Sequence, residues 1–366
     1  MSSIAYKDNA AEVLKRIRSL VERKANDQIF AAFYPPSAAM KDFQKQYTDW
    51  TGYPEPHERI AFWDRMFKER VRVEDDNLPS AYPSEFDQGL YGGLLGGDIR
   101  YLAMTTDGYV SSGWISSMVP PLLEDWSGFE RLKFREDHPL FQRYLTQLGI
   151  MKEAAAGKFG ISHIIAIDSF NFVYELIGAT NTYLSVVDHP DLVRKGIDFG
   201  FELNLKIHST FFDVVGTLEG GTCSWVVPWI PGRIINESVD PFHMTSVDYF
   251  EEWGREPAQR FIDRFDGAAM HLHANGWHLL EAVCRLKGVK AILMVNEKGI
   301  PPAMQQLQSL RRRAGDMPLS VMVEYPEFIE SLQRHELAGG VFYMVSGAPD
   351  IDTANRWMEK VRAYRA

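Results

Sequence analysis

The sequence predicts an α/β protein folded as a TIM barrel, in which strands alternate with helices around a parallel sheet. Apolar, β-rich runs recur from about residue 160 onward, and the last four begin roughly 20 to 30 residues apart, as in strand–helix units. These runs are apolar on both faces, which is typical of a parallel sheet covered on both sides. No Gly-x-Gly-x-x-Gly or Walker sequence occurs, so a nucleotide-binding doubly wound sheet lacks its usual signature. The runs are 163–167, 222–227, 234–239, 268–272, 289–295, 319–323 and 340–345.

The first part of the chain has a different character from the rest. Residues 1–24 have the pattern of a charged amphipathic helix, and residues 30–56 are rich in aromatic side chains and prolines. We therefore expect residues 1–69 to form an irregular extension of helices and loops packed on the barrel. The barrel itself is expected to span residues 70–366. Glycines at 288, 315 and 339 stand where helices of the repeated units would end.

Composition narrows the function. The chain has 366 residues, 39 Lys and Arg against 49 Asp and Glu, and a net charge of −10. Nucleic-acid affinity depends largely on basic residues that neutralise phosphates, so this balance argues against a nucleic-acid partner. No apolar stretch approaches the roughly 18 residues of a membrane span, and no signal-peptide pattern begins the chain. We expect a cytoplasmic protein that acts on a small molecule.

The densest group of polar residues follows the run 268–272. If the strand continues to residue 273, His271 and His273 lie on the same face because side chains alternate along a strand. The next run ends shortly before Glu297, which we expect as a third ligand of a zinc ion. The alternatives are a polar site without metal, in which the histidines bind substrate, and a purely structural role.

Acidic residues follow several other runs. Asp168, Asp240 and Glu324 stand at strand ends, where acid–base catalysis in a barrel takes place. Each could instead cap the helix that follows. For Asp240 we favour catalysis, because Pro241 and further residues intervene before the next helix. His243 is close enough to face the same end of the barrel and is a second candidate for positioning substrate or moving a proton.

Aromatic residues near these strand ends predict an apolar pocket for a flat substrate, although such residues are more often part of the core. The candidates for substrate contact are Phe170, Tyr174, Trp225 and Asn275. The two cysteines are Cys223, inside a predicted strand, and Cys284, within a predicted helix. Both are expected to be buried core residues, and two cysteines cannot provide the thiolates of a Cys-rich zinc site.

Four segments in this order resemble the uroporphyrinogen decarboxylase superfamily over roughly residues 70–366. The resemblance implies a TIM barrel and one of two chemistries. One is decarboxylation of the acetate arms of a porphyrinogen without a cofactor; the other is methyl transfer in corrinoid systems, often with zinc. The segments are ELIG (175–178) with DHPDLV (188–193), DPFHMTS (240–246) with FEEW (250–253), FDGAAMHLHANG (265–276), and GGVFY (339–343) with DTAN (352–355).

The chain departs from both branches in informative ways. It lacks the Arg-Gln-Ala-Gly-Arg-Tyr type of segment that binds porphyrinogen carboxylates, so decarboxylation of that substrate is disfavoured. In the zinc methyltransferases the site contains His-x-Cys and a later Cys. Here His271 matches the His, His273 replaces the Cys, and no Cys occurs near residues 345–347.

A site built from nitrogen and oxygen ligands would suit polarising an ether oxygen. The resemblance therefore implies O-demethylation of an aromatic methyl ether. The methyl group would pass to a corrinoid carried by a separate protein, since the Asp-x-His-x-x-Gly signature of corrinoid domains is missing from the sequence.

Two other functions stay open at this point. One is a lyase of the decarboxylase type that acts on a smaller carboxylated substrate. The other is a non-catalytic protein that binds a tetrapyrrole or corrinoid. By analogy with related barrels, a homodimer is possible.

Overall fold

A computed structural model describes residues 4–103 and 113–366 and shows a mixed α/β fold around a parallel sheet. Six strands form this sheet in the order β1-β12-β11-β10-β9-β8, and every pair in it is parallel. The strands of the described residues are β1 (Ile29–Tyr34), β2 (Ser80–Ala81), β3 (Arg100–Ala103), β4 (Ile115–Met118), β5 (Gly160–Ile161), β6 (Gly221–Cys223), β7 (Trp229–Pro231), β8 (Ile234–Ser238), β9 (Gly267–His273), β10 (Val289–Val295), β11 (Leu319–Glu324) and β12 (Val341–Ser346).

Helices connect most of these strands and cover the sheet, as expected for parallel neighbours that need a crossover. Short 3-10 helices at 84–86, 126–131, 240–244, 274–279 and 303–306 supplement them. The α-helices are α1 (Ala10–Val21), α2 (Ala38–Tyr47), α3 (Pro56–Glu69), α4 (Gly89–Leu94), α5 (Pro139–Ala155), α6 (Ser169–Ile177), α7 (Ala179–Asp188), α8 (Pro190–Val215), α9 (Val247–Trp253), α10 (Arg255–Ile262), α11 (Leu280–Cys284), α12 (Leu307–Ala314), α13 (Tyr325–Gln333) and α14 (Ile351–Ala363). No described helix has both the length and the apolar character needed to cross a membrane.

The sequence located the later strands well. The predicted run 289–295 coincides with β10, and β8, β9, β11 and β12 begin and end within one residue of their predicted runs. The two earlier predicted runs agree less well with the observed strands. Only Ile165 of the run 163–167 forms a bridge, to Asn236, and the run 222–227 is a strand only to Cys223. In these segments hydrogen bonds from side chains and isolated bridges replace a regular ladder.

One strand lies where the sequence predicted only an extension. β1 falls inside residues 1–69, yet it pairs with β12 along its whole length, from Ile29 with Val341 to Tyr34 with Ser346. Its run IFAAFY is almost entirely buried, so it has the composition of a sheet strand. The sequence does not distinguish it as a strand, because aromatic residues and prolines surround it. The segment 1–69 thus contributes a strand to the sheet as well as helices that pack on it.

The two faces of the sheet have different coverings. Ala268, Met270 and Leu272 of β9 belong to the large core between the sheet and most of its helices. The alternate residue Ala269 belongs to a second core, in which apolar residues of α1 such as Ile17 pack. His271 and His273 continue the series of Ala269, because side chains alternate along a strand. Both histidines therefore lie on the same face of the sheet as the core that contains α1. They stand at the carboxyl end of β9 on that face.

Candidate metal centre

Two histidines stand next to each other at the carboxyl end of β9. The strand extends to His273, one residue beyond the predicted run, and parallel pairing places His271 beside Leu293 and His273 beside Val295 of β10. The centres of the two imidazole rings are 5.2 Å apart. The side chain of His271 is 4% exposed and that of His273 is 31% exposed, so the pair runs from the interior toward solvent.

Asp240 approaches the two histidines from the neighbouring strand. It follows β8 and begins a 3-10 helix, in which Pro241 occupies the first turn. Its Oδ1 atom lies 3.3 Å from Nε2 of His271 and 4.0 Å from Nε2 of His273. Asp240, His271 and His273 each offer one atom that could bind a metal ion, and these atoms all lie within 4.8 Å of one another. They form the candidate ligand group of the described residues.

The chemistry of this group suits a transition-metal ion. Two imidazole nitrogens and one carboxylate oxygen are a common ligand set for zinc, with a further position open for water or substrate. Oδ1 of Asp240 is buried and makes no hydrogen bond in the described structure. Burial would raise the pKa of Asp240, but the imidazoles of His271, His243 and His273 hold it well below its ordinary value. Asp240 is thus the anionic member of the group.

Glu297 has a different place from the one predicted. It was expected as the third ligand, but it does not belong to the group that could hold an ion. Its carboxylate bonds to Nδ1 of His273, on the far side of the ring from Asp240. A carboxylate in this position fixes the orientation of a metal-binding histidine and makes its other nitrogen more basic. Asp240 therefore takes the place in the ligand group that the sequence assigned to Glu297.

His243 lies beside the group and faces Asp240. Its Nδ1 is 3.6 Å from Oδ1 of Asp240, whereas its Nε2 is buried and makes no hydrogen bond in the described structure. Burial lowers the pKa of His243 to about 4, although Asp240 acts in the opposite direction. The ring is therefore neutral at physiological pH, and its unpartnered Nε2 can bind a polar group.

Asp87 is a candidate that sequence reasoning missed. It lies after β2 and is buried, and the Tyr82 hydroxyl donates a 3.4 Å hydrogen bond to it. Burial raises its pKa to about 7, and the charges of His271 and Asp240 also act on it. β2 has only two residues, so no apolar run marked the strand. The one available signal was a carboxylate in a segment rich in aromatic residues.

The other predicted acids lie apart from the histidines. Asp168 is buried and hydrogen-bonds to Glu237 and Ser169, and burial raises the pKa of both Asp168 and Glu237. It precedes α6 but makes no capping hydrogen bond. Glu324 ends β11, is exposed, and accepts a 2.8 Å hydrogen bond from Ser346. Neither carboxylate belongs to the ligand group found among the described residues.

The predicted substrate contacts divide into two groups. The ring of Trp225 lies 5.1 Å from that of His271, and Tyr174 is partly exposed and close enough to Asp240 for the aspartate charge to raise its pKa, after the larger effect of burial. These two residues remain candidates. Phe170 is completely buried against Phe242 and other aromatic rings, and thus belongs to the core. Asn275 is exposed on the 3-10 helix after β9.

Comparison with known proteins gives a fold-level match. A solved structure named "methyltransferase from Methanosarcina mazei" aligns with a TM-score of 0.56 at 11% sequence identity, covering 95% of this chain and 98% of that chain. No family model matches the sequence. No curated protein matches it either. The structural likeness extends over nearly the whole of both chains, and at this identity it establishes a shared fold.

Proposed function

We propose that the protein is a metal-dependent methyltransferase of the uroporphyrinogen decarboxylase superfamily. The observation that carries this proposal is the group Asp240, His271 and His273 at the carboxyl end of a parallel sheet. Its support is the fold shared with a protein named a methyltransferase. Catalytic residues of barrel enzymes occupy this end of the strands. Zinc is the ion that we propose for the site.

We also propose that the sheet closes into a complete TIM barrel. Three links beyond the six-stranded sheet support closure. The Asp76 amide donates a 2.9 Å hydrogen bond to the Ala31 carbonyl of β1, and β2 pairs in parallel with β5. The segment after β5 then reaches β8, where the Ala166 amide donates to the Asn236 carbonyl at 2.7 Å. A TIM barrel would contain these segments as the strands that join β1 to β8.

We propose a methyl ether as the donor, with the methyl group passing to the cobalt of a corrinoid on a separate protein. A zinc ion held by Asp240, His271 and His273 would act as a Lewis acid on the ether oxygen. When the carbon–oxygen bond breaks, the electron pair stays on oxygen, which then needs a proton. Asp87 is suited to donate that proton because its pKa of about 7 leaves it partly protonated at neutral pH.

The remaining residues would position the substrate and the ion. Glu297 holds His273 through Nδ1, so that Nε2 faces the ligand group. Trp225 places an aromatic surface beside His271, against which a phenyl ring can stack. His243, held neutral, offers an unpartnered nitrogen to a polar group of the substrate.

Metal analysis and a methyl-transfer assay test the proposal. The purified protein should bind one zinc ion per chain, and His271→Ala should lose it. Methylation of free cob(I)alamin by methoxybenzenes should require both the ion and His271. Glu324→Gln, at the same end of the sheet but outside the ligand group, should retain both properties. Full methyl transfer by metal-free protein would refute the metal role, and zinc binding without methyl transfer would refute the reaction.

A further inference from the structure

The loops at the carboxyl ends of the parallel strands contain several acidic residues and almost no basic ones. These loops are 35–37, 82–88, 162–168, 239–246, 274–279, 296–306 and 347–350. Together they contain no arginine and a single lysine, Lys298, which is exposed. They contain six acidic residues: Glu85, Asp87, Asp168, Asp240, Glu297 and Asp350.

Glu175 is a further acidic group of this region. It lies on α6 beside a small cavity whose other walls are largely apolar, including Tyr91, Leu122 and Phe172. Burial raises its pKa to about 7, and the charge of Asp240 adds to the effect. Asp87 has a similarly raised pKa. Asp87 is buried and Glu175 is half-buried, and among the described residues no lysine or arginine forms an ion pair with either carboxyl group.

A metal ion would not reverse this balance. A divalent ion brings two positive charges, and Asp240 together with Glu297, which bonds to the ligand His273, brings two negative charges. Asp87 and Glu175 then remain as additional acidic groups around the site. An incoming anion would meet these two carboxyl groups, neither of which forms an ion pair with a basic residue of the described chain, and desolvating a charge without a partner is costly.

The uncharged surfaces of the site are aromatic. Trp225 packs on His271, Trp114 contacts Trp225 at a ring distance of 6.4 Å, and the rings of Trp114 and Tyr82 are 4.6 Å apart. The indole N–H of Trp225 is buried and makes no hydrogen bond in the described structure. This donor, together with the unpartnered Nε2 of His243, suits a neutral aromatic molecule with oxygen substituents.

We propose that the methyl donor is an aryl methyl ether without negative charge, and that Glu175 and Asp87 exclude carboxylated analogues. This inference rests on the proposed function and specifies its substrate class. It separates the site from one that binds a carboxylated substrate, for which basic residues would be required. Neutral or cationic substituents are compatible with the acidic surroundings.

A matched set of three ligands tests the charge selectivity. 4-Methoxybenzyl alcohol, 4-methoxybenzylamine and 4-methoxybenzoate have similar size and differ in charge. Binding to zinc-loaded and metal-free protein is measured by calorimetry at pH 8, where the acidic groups are ionised. The alcohol and the amine should bind at least about tenfold more tightly than the benzoate, the order of effect expected from one uncompensated charge nearby. Equal or tighter binding of the benzoate would overturn the inference.

A variant that removes the charge of Glu175 tests whether this residue causes the preference for uncharged ligands. Glu175→Gln should reduce the preference for the alcohol over the benzoate by about threefold or more. Glu336→Gln removes the same charge from an exposed position before β12, at the opposite end of the sheet, and should leave the preference unchanged. An unchanged preference in Glu175→Gln would contradict the role of Glu175. Binding of the alcohol without methyl transfer to cob(I)alamin would refute the proposed function but leave the charge selectivity standing.

Discussion

The carboxylate of Glu297 bonds to Nδ1 of His273, and Nε2 of the same ring lies 4.0 Å from Oδ1 of Asp240. His273 ends β9, and Glu297 follows the neighbouring strand β10. The imidazole of His273 thus lies between two carboxylates, with Glu297 at Nδ1 and Asp240 on the side of Nε2. One side fixes the orientation of His273, and the other is available to an ion.

Replacing Glu297 by Gln should therefore weaken metal binding without abolishing it. The amide would still accept or donate a hydrogen bond, but it would lose the charge that makes Nε2 of His273 more basic. We expect a decrease in zinc affinity of about 10- to 100-fold, measured by competition with a chromogenic chelator. Glu324→Gln is the matched control. Unchanged affinity in Glu297→Gln would show that Glu297 does not support the ligand group.

Asp87 should make the metal-free protein less stable as the pH rises. Its pKa in the folded state is about 7, well above the ordinary value near 4, because the carboxyl group is buried. Between about pH 4 and pH 7 the folded state holds this proton more tightly than the unfolded chain, so the free energy of unfolding decreases as pH increases. Asp87→Asn removes this dependence.

The variant should gain stability over the wild type on the order of 2 kcal/mol between pH 5 and pH 8. Urea unfolding curves at the two pH values measure the change. A difference between variant and wild type that stays constant with pH would contradict the raised pKa of Asp87.

Gly276 should not tolerate a side chain. A Cβ atom at this position would lie 2.0 Å from Cδ2 and 2.7 Å from Nε2 of His243, and neither the backbone nor the buried ring has space to move far. Gly276→Ala should destabilise the fold by about 1 to 3 kcal/mol and reduce activity by displacing His243. Gly149→Ala, on α5 with no atom within 4 Å of the new methyl group, should stabilise the protein by about 1 kcal/mol. Equal effects of the two substitutions on thermal unfolding would refute this explanation.

The cysteines should be unreactive in the folded protein. Burial raises the pKa of Cys223 to about 12 and that of Cys284 to about 11, so almost no thiolate is present at neutral pH. Since the thiolate is the reactive form, iodoacetamide at pH 7.5 should modify neither residue, as judged by mass spectrometry. The same reagent should label both in guanidinium chloride. Rapid labelling of native protein would show that a thiol is exposed and activated.

The accuracy of the sequence analysis varied along the chain for physical reasons. β10 was predicted at its exact bounds, because a buried parallel strand needs an apolar run and this one is interrupted only by the half-buried Lys290. β1 and β2 were missed. β1 is as apolar as β10 but is surrounded by aromatic residues and prolines, and β2 is too short to leave a pattern. Asp87 follows β2, and so short a strand leaves no apolar run that would mark Asp87 as a residue at a strand end.

By itself, the sequence determined that a parallel α/β protein would place His271 and His273 on one face of a strand end, because side-chain alternation is a local property. It also placed Asp240 after the predicted strand that precedes the two histidines, and Glu297 after the predicted strand that follows them. Only the tertiary structure decided which carboxylate faces Nε2 of His273 and which faces Nδ1. That choice depends on the paths of the loops after β8 and β10 and on the rotation of one ring, and these follow from packing between segments distant in sequence.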